Sequence, residues 1–433
     1  MKTYNSLINE INSLPKGNLY RKIIKNHVYY YYQFSENNVK HTRIVKKEEF
    51  QDLVNQINKR ILLETELFAL IVTNARPVVL SKNAKEYTGY VMSKDDIVAE
   101  FDHGVLIHLD YDRCPLIIKR TKSLEAFLKT RAIDTSRTNS RLLRKLLNIK
   151  ETTEEKLSLC AYSASISDDY WFKPKHSKLK YENVAFTSDA FFDLALKGIL
   201  SPFPKRVSPT PELTTVGSYE KGWKKIDNEW WLYKVGTDKE IFSELFYAKM
   251  MEKLNYPTAT YEKHDSYIRS KNFATKYNFE PMISLAGEDD SYENVFSVLL
   301  DINEQIASAY LQLVYYDAIF FNIDRHNENC GILRDKKTGE IVSLAPNFDN
   351  NLCLISRVES LNTNLKEGFL NTFVKFLKNN ELAKELLLEA NMPIITENII
   401  NNCINEIGMN VDREQIVKFV ITRYQYLTKI INN

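Results

Sequence analysis

The stretch Phe321–Asp349, FNIDRHNENCGILRDKKTGEIVSLAPNFD, decides how the rest of the chain is read. It sets Asp324, Asn329 and Asp349 on one short segment: two carboxylates and an amide, oxygen donors suited to hard cations. Upstream, INEQIASAYLQLVYYDAIF over Ile302–Phe320 has apolar residues at helical spacing and predicts a helix that delivers Asp324 from a rigid support. Downstream, Cys330–Leu333 and Ile341–Leu344 are short apolar runs joined by Asp335, Lys336, Lys337, Thr338 and Gly339, the composition of a hairpin. That hairpin returns the chain to the loop, and Ala345, Pro346, Asn347 and Phe348 lead into Asp349.

The five-residue offset from Asp324 to Asn329 is that of the catalytic pattern H-R-D-x-x-x-x-N, in which the Asp handles an acceptor hydroxyl and the Asn holds a metal ion. The triplet order differs, being Asp324, Arg325, His326, and Phe348-Asp349 stands where Asp-Phe-Gly would. Asp and Asn are also common turn formers, so a surface turn is the alternative. The density of such residues in one segment favours a site.

On these residues the segment resembles the HipA-like serine/threonine kinases, whose C-terminal domain carries an Asp-Arg-His-x-x-Asn loop followed by Leu-Ala-Pro-x-Phe/Tyr-Asp. The likeness covers Leu213–Leu354 by motif and the helical remainder by pattern, and reaches more weakly back to about Arg131. It leaves the first hundred residues unexplained. It implies an α+β, bilobal protein-kinase-like fold with a mixed N-lobe, a mostly helical C-lobe and a small β-containing N-terminal domain. The corresponding divisions are 1–65, 66–205, 206–290 and 291–433. The resemblance also implies ATP and Mg²⁺ as cofactors, with Asp324 acting on the acceptor hydroxyl and Asn329 and Asp349 as metal ligands. His326 reads as loop scaffolding, and Asn350-Asn351 departs from the family pattern after Asp349.

A phosphate-anchoring Lys should lie upstream on a strand, with an acidic partner on the next helix. EWWLYKV over Glu229–Val235 alternates as a strand does and carries Lys234, and Glu244 sits in the helical pattern Lys239–Leu254. Before the strand, Leu213–Gly222 is a small-residue loop in which Thr214, Thr215, Gly217 and Ser218 would let backbone N–H groups approach phosphates. In the resembling family a hydroxyl of this loop is autophosphorylated in some members; Thr214 aligns to it, with Thr215 and Ser218 as neighbours. Ile268–Phe273, with Ser270, Lys271 and Asn272, is where the resemblance puts the adenine-binding hinge.

At 433 residues and 44% hydrophobic content the chain can build two or three domains with sizeable cores. A net charge of +2 gives no global argument for nucleic acid or an anionic membrane. The five cysteines, at 114, 160, 330, 353 and 403, are dispersed and lack a CxxC pair, which leads us to expect a reducing, cytoplasmic setting and no zinc site. No signal segment and no membrane-length apolar run are read in it.

The N-terminal texture is different. A helix is expected over Thr3–Leu14, then strands over Leu19–Ile24, Val28–Phe34 and Lys40–Val45, then a helix over Glu48–Leu67. Arg21, Lys22, Lys25, His27, Tyr29–Tyr32, Lys40, Arg43, Lys46 and Lys47 mix basic and aromatic side chains, the chemistry of phosphate neutralisation and base stacking. An ordinary meander whose tyrosines alternate between core and surface is the other reading. These residues also resemble, over a short span, a module of bacterial defence and toxin–antitoxin proteins.

Further on, Phe68–Thr73, Tyr87–Met92, Ile97–Phe101 and Val105–Leu109 read as strands, and Leu124–Thr130, Ser140–Leu147 and Glu154–Ser163 as helices. Arg137, Arg141, Arg144 and Lys145 read as a solvated helix face, with anion binding as the alternative. Pro202, Pro204, Pro209 and Pro211 mark a joint over Ser201–Pro211. From Asn364 onward the pattern is helical, ending in Val411–Ile431.

The expected function is an ATP- and Mg²⁺-dependent serine/threonine protein kinase, self-regulated through its nucleotide loop and acting as a toxin or a defence or signalling kinase. Its expected partners are a protein substrate with a Ser or Thr acceptor and an antitoxin-like helix-turn-helix protein; no membrane is implied. Lipid phosphorylation or nucleotidyl transfer from the same site is a second enzymatic reading. A catalytically weak regulator that binds nucleic acid or a protein through the N-terminal β module is a third.

Overall fold

The computed structural model describes residues 4–25, 27–36, 39–74, 80–199, 210–356, 361, 364–365 and 368–432. The proline-marked joint lies largely outside them, at 201–209. The chain has a mixed α/β fold and divides into two compact units. One comprises Met1–Gly89, Leu128–Ser165 and Trp171–Thr237; the other comprises Tyr90–Phe127, Ile166–Tyr170 and Asp238–Asn433.

The first unit begins with helix Tyr4–Ser13, which ends before Pro15 and Gly17. Gly17 adopts φ +148° with the Gln33 carbonyl where a Cβ would stand, so glycine is required there. Strands Asn18–Ile24, His27–Glu36 and Val39–Val45 then form an antiparallel sheet in sequence order, as the alternating pattern predicts. Tyr32 and Val45 are buried against Leu53 of the following helix, with Leu19, Tyr30, Phe34, Phe50 and Ile57 packed around them. Arg60 of that helix donates to the carbonyls of Ile11 (2.5 Å) and Leu14 (2.8 Å), satisfying the last turn of the first helix.

The helix runs from Lys47 to Asn74, which corrects the strand expected at Phe68–Thr73. A short apolar run has no period of its own that separates strand from helix. Here it continues an amphipathic helix with no glycine or proline before Pro77, so propagation costs less than a new element. The helix expected over Glu154–Ser163 is also shorter, Glu154–Leu159, because Tyr162 and Ser163 turn into the left-handed region at φ +54° and +52°.

Later in this unit, Lys221–Ile226 and Glu229–Val235 form a hairpin with Ile226 opposite Glu229. Its two-residue turn, Asp227-Asn228, has both φ angles positive, the type I′ geometry that matches strand twist.

The second unit is built around helix Glu304–Phe320, against which Tyr292–Leu300, Gly368–Asn379, Glu381–Glu389 and Arg413–Asn432 pack. Asn303 caps it, its Oδ1 accepting from the N–H groups of Gln305 (2.8 Å) and Ile306 (3.2 Å). Ala307, Leu311, Val314, Ala318, Ile319 and Phe320 have no exposed surface, and burying each large side chain contributes about 1.5–3 kcal/mol. Arg423 reaches from the last helix to the Ala318 carbonyl at 2.7 Å and ties down the final turn. Strands Asn278–Pro281, Gly331–Arg334 and Ile341–Leu344 form an antiparallel sheet, the last two being the hairpin read from sequence. Among the described residues no helix is long and apolar enough to cross a membrane.

Candidate active site

Helix Glu304–Phe320 stops at Phe321, whose φ of +56° turns the chain into the Asp324 loop. One turn before the stop sits Asp317, a fully buried carboxylate in an otherwise apolar helix face. Its cost of burial is offset by four donors. Arg325 donates from Nε to Oδ2 (2.8 Å) and from Nη2 to Oδ1 (3.0 Å), Tyr247 from its hydroxyl to Oδ1 (2.8 Å), and Asn322 from Nδ2 to Oδ1 (2.9 Å).

The remaining Arg325 donors reach the Asp349 segment and the loop. Nη1 donates to the carbonyls of Phe348 (2.9 Å) and Asn329 (2.5 Å), and Nη2 to Oδ1 of Asn347 (2.8 Å) and of Asn350 (2.6 Å). One guanidinium thereby joins the helix, the Asp324 loop and the Asp349 turn. Burial opposes its charge, yet the Asp317 carboxylate holds its pKa above the ordinary arginine value. Asn347 and Asn350 are buried, and their Nδ2 atoms have no hydrogen-bond partner.

Within the loop, Asn329 donates from Nδ2 to the Asp324 carbonyl (2.9 Å) and to Asp324 Oδ2 (3.1 Å). This leaves the amide oxygen of Asn329 as its acceptor end. Asp324 is half-buried, and its pKa is raised by burial first, with the Asp349 charge adding to it; His326, Asn329 and Arg325 pull the other way. Asp349 adopts φ +57° and donates its N–H to the Tyr261 hydroxyl at 2.9 Å, while Phe348 packs its ring against Phe273 and Phe279 at 5.6 and 5.4 Å. His326 lies in the turn, with Nδ1 accepting from the Glu328 N–H at 3.2 Å.

Asn329 and Asp349 offer an amide oxygen and a carboxylate, hard donors that fit Mg²⁺ by their chemistry, and a divalent cation there would relieve the charge that Asp349 sets against Asp324.

In the first unit, Pro211–Thr214 is a 3₁₀ turn leading into the small-residue loop. Thr214 and Thr215 are buried, and both hydroxyls donate to the Pro211 carbonyl, at 3.3 and 2.7 Å. Thr215 Oγ1 also accepts from the Trp223 indole at 3.1 Å. Gly217 takes φ +98°, and Ser218 beside it is exposed. Lys234 is buried on Glu229–Val235, directly opposite the equally buried Lys221. Glu244 is buried on helix Asp238–Lys253 in the second unit.

Ser270 and Lys271 close strand Tyr267–Lys271 in the second unit. Asn272 donates to the Ile166 carbonyl (3.2 Å) and accepts from the Ala274 N–H (3.0 Å), so its side chain shapes the turn after that strand.

Arg137 corrects the sequence reading of a solvated basic face. It is buried at the start of helix Thr138–Leu146 and donates from Nε to the Gly217 carbonyl and from Nη2 to the Thr215 carbonyl, both at 2.5 Å. The reason is that a loop turning through Gly217 leaves two carbonyls without strand partners, and a planar guanidinium satisfies both.

The sequence brought out Asp324, Asn329 and Asp349 but not the residues that hold them. Asp317 carried a signal, a lone charge in LQLVYYDAIF. Asn322 and Asn347 carried none, since Asn is unremarkable in loops, and Asn350 stood out only as a departure from the resembling family's pattern.

No family model matches the chain, and no curated protein does. Among solved structures it is similar to HipA of the Shewanella oneidensis MR-1 toxin–antitoxin system, solved with HipB and its operator DNA. Identity is 13%, the match covers 80% of this chain and 97% of that one, and the TM-score is 0.51. A Helicobacter pylori proinflammatory kinase, CtkA, is 21% identical over 49% of this chain and 91% of its own, with a TM-score of 0.41. The chain has a HipA-like fold.

Proposed function

We propose that this protein is an ATP- and Mg²⁺-dependent serine/threonine protein kinase of the HipA-like type. The observation that carries the reading is the Asn329–Asp324 hydrogen bond at 3.1 Å, on a loop that Arg325 locks to Asp317, with burial and then the Asp349 charge raising the Asp324 pKa. The HipA-like fold supports it.

In this reading Asp324 accepts the proton of a Ser or Thr hydroxyl, a role worth roughly 10² to 10⁴ in rate. Its raised pKa makes it a better base than an ordinary aspartate. Asn329 and Asp349 hold Mg²⁺, which when bound supplies neutralisation of phosphate charge. Lys234 and Glu244 are assigned to anchoring the phosphates, and the N–H groups of Thr214–Ser218 to lining them. Ser270, Lys271 and Asn272 are assigned to adenine.

Self-regulation belongs to the same reading. Phosphorylation of Thr214 or Thr215 requires the loop to leave its seat, breaking the hydroxyl bonds to Pro211 and the Trp223–Thr215 bond. Ser218 needs no such release. An antitoxin-like partner is proposed by analogy with the HipA neighbour, which was solved with HipB.

The reading is tested by the fate of label from ATP. Transfer of the γ-phosphate to protein is expected; retention of the α-phosphate would replace the proposal with nucleotidyl transfer.

A further inference from the structure

The N-terminal sheet has two unlike faces. One, with Tyr30, Tyr32, Phe34 and Val45, is covered by helix Lys47–Asn74. Alternation along the strands puts Tyr29 and Tyr31 on the other face, so the tyrosine run does divide between core and surface. The register sets Tyr31 opposite Tyr20 on one side and Ile44 on the other, and Tyr29 opposite Lys22.

On that open face the Tyr20 and Tyr31 rings stack at 5.2 Å and 9°, and Lys22 Nζ lies 5.7 and 5.8 Å from their centroids. Ile44 is 62% exposed, Ile24 45% and Tyr29 37%. From Asn18 to Lys47 the chain carries seven Lys and Arg residues and a single carboxylate, Glu36, although the whole chain is only +2. Of the seven, Arg43 is paired with Glu49 at 2.6 Å. Arg21 and Arg43 stand opposite Tyr30 and Tyr32 on the covered face, while Lys22 stands among the open-face rings, within a segment of net basic charge.

We propose that this open face binds single-stranded nucleic acid, with bases against Tyr20, Tyr29 and Tyr31 and phosphates near Lys22 and its basic neighbours. A polyanion answers the charge, and the partly exposed rings call for flat apolar groups, which unpaired bases supply. A duplex answers the charge alone, because its base faces are stacked inside. Three strands about 4.8 Å apart make room for two or three nucleotides. The proposal is independent of the kinase reading.

The test is fluorescence anisotropy of the full chain with a labelled oligo(dT) of about 15 nucleotides, longer than the site, without ATP or Mg²⁺. Binding should weaken with salt and exceed that of a blunt duplex of equal length about tenfold. Tyr31→Ala should weaken it about tenfold while Tyr31→Phe retains it, and Lys22→Gln should reduce the salt slope by about 0.7. Asp324→Ala should bind as the unaltered chain does. Thermal unfolding reports whether Tyr31→Ala is folded; if it is not, Tyr31→Phe and Lys22→Gln still decide. No binding at low salt, equal binding of the duplex, or an unchanged slope in Lys22→Gln would overturn the proposal.

Discussion

Arg325 and Asp317 form a two-pronged ion pair, Nε to Oδ2 at 2.8 Å and Nη2 to Oδ1 at 3.0 Å, with side chains 2% and 0% exposed. It explains why the loop reads Asp-Arg-His. The arginine directly after Asp324 points back to the helix and fixes the carboxylate from its own neighbouring residue.

Asp317→Ala leaves a buried guanidinium without its counter-charge. We expect a loss of about 3–5 kcal/mol in urea unfolding, the range for breaking one side of a buried pair. A loss below about 1 kcal/mol, the value of an exposed pair, would show that Arg325 finds water instead.

The raised Asp324 pKa predicts the pH dependence of phosphoryl transfer. The base must be ionised, so the rate falls as pH drops through its pKa, and burial together with Asp349 moves that limb upward. Asp349→Asn removes the neighbouring charge and should lower the plateau rate while shifting the limb to lower pH. A limb that stays in place in the pH–rate profile would assign it to another group.

Glu212 gives a prediction about stability. Burial pushes its carboxyl up to about 7, against hydrogen bonds from the Thr210 hydroxyl and the Trp223 N–H, with the Asp189 charge adding to the rise. The folded state thus holds a proton that the unfolded state releases near 4.5. The stabilisation is fully present below that value and is lost as pH rises through about 7. Glu212→Gln should flatten the unfolding midpoint across this window; an unchanged slope would contradict the assignment.

Gly217→Ala tests the loop. At φ +98° a side chain is strained, and its Cβ would stand 2.5 Å from Lys221 Nζ. We expect the KM for ATP to rise about tenfold, equivalent to roughly 1.4 kcal/mol, with little change in kcat. An unchanged KM would remove the loop from nucleotide binding.

Much of the fold was legible because its signals are periodic. The alternating strands at Tyr29–Tyr32, the helix leading to Phe320 and the hairpin around Asp335–Gly339 all follow from spacing. The Asp324–Asn329 offset was readable for the same reason, being set within one loop. What escaped depends on contacts between distant segments. Nothing local marks Asn350 as the acceptor for Arg325, or Arg137 as the donor to Thr215 and Gly217, 78 and 80 residues away. Phe68–Thr73 escaped because a short apolar run takes its conformation from what precedes it.

The central claim is that Asp324, Asn329 and Asp349 form a phosphoryl-transfer site. The most direct measurement is incubation of the purified protein with Mg²⁺ and γ-labelled ATP, beside Asp324→Ala and Asp349→Ala, followed by mapping of phosphorylated residues. The account predicts label on the unaltered protein alone, at Ser218, Thr214 or Thr215. Equal labelling of the two variants, or no labelling together with no ATP binding, would contradict it.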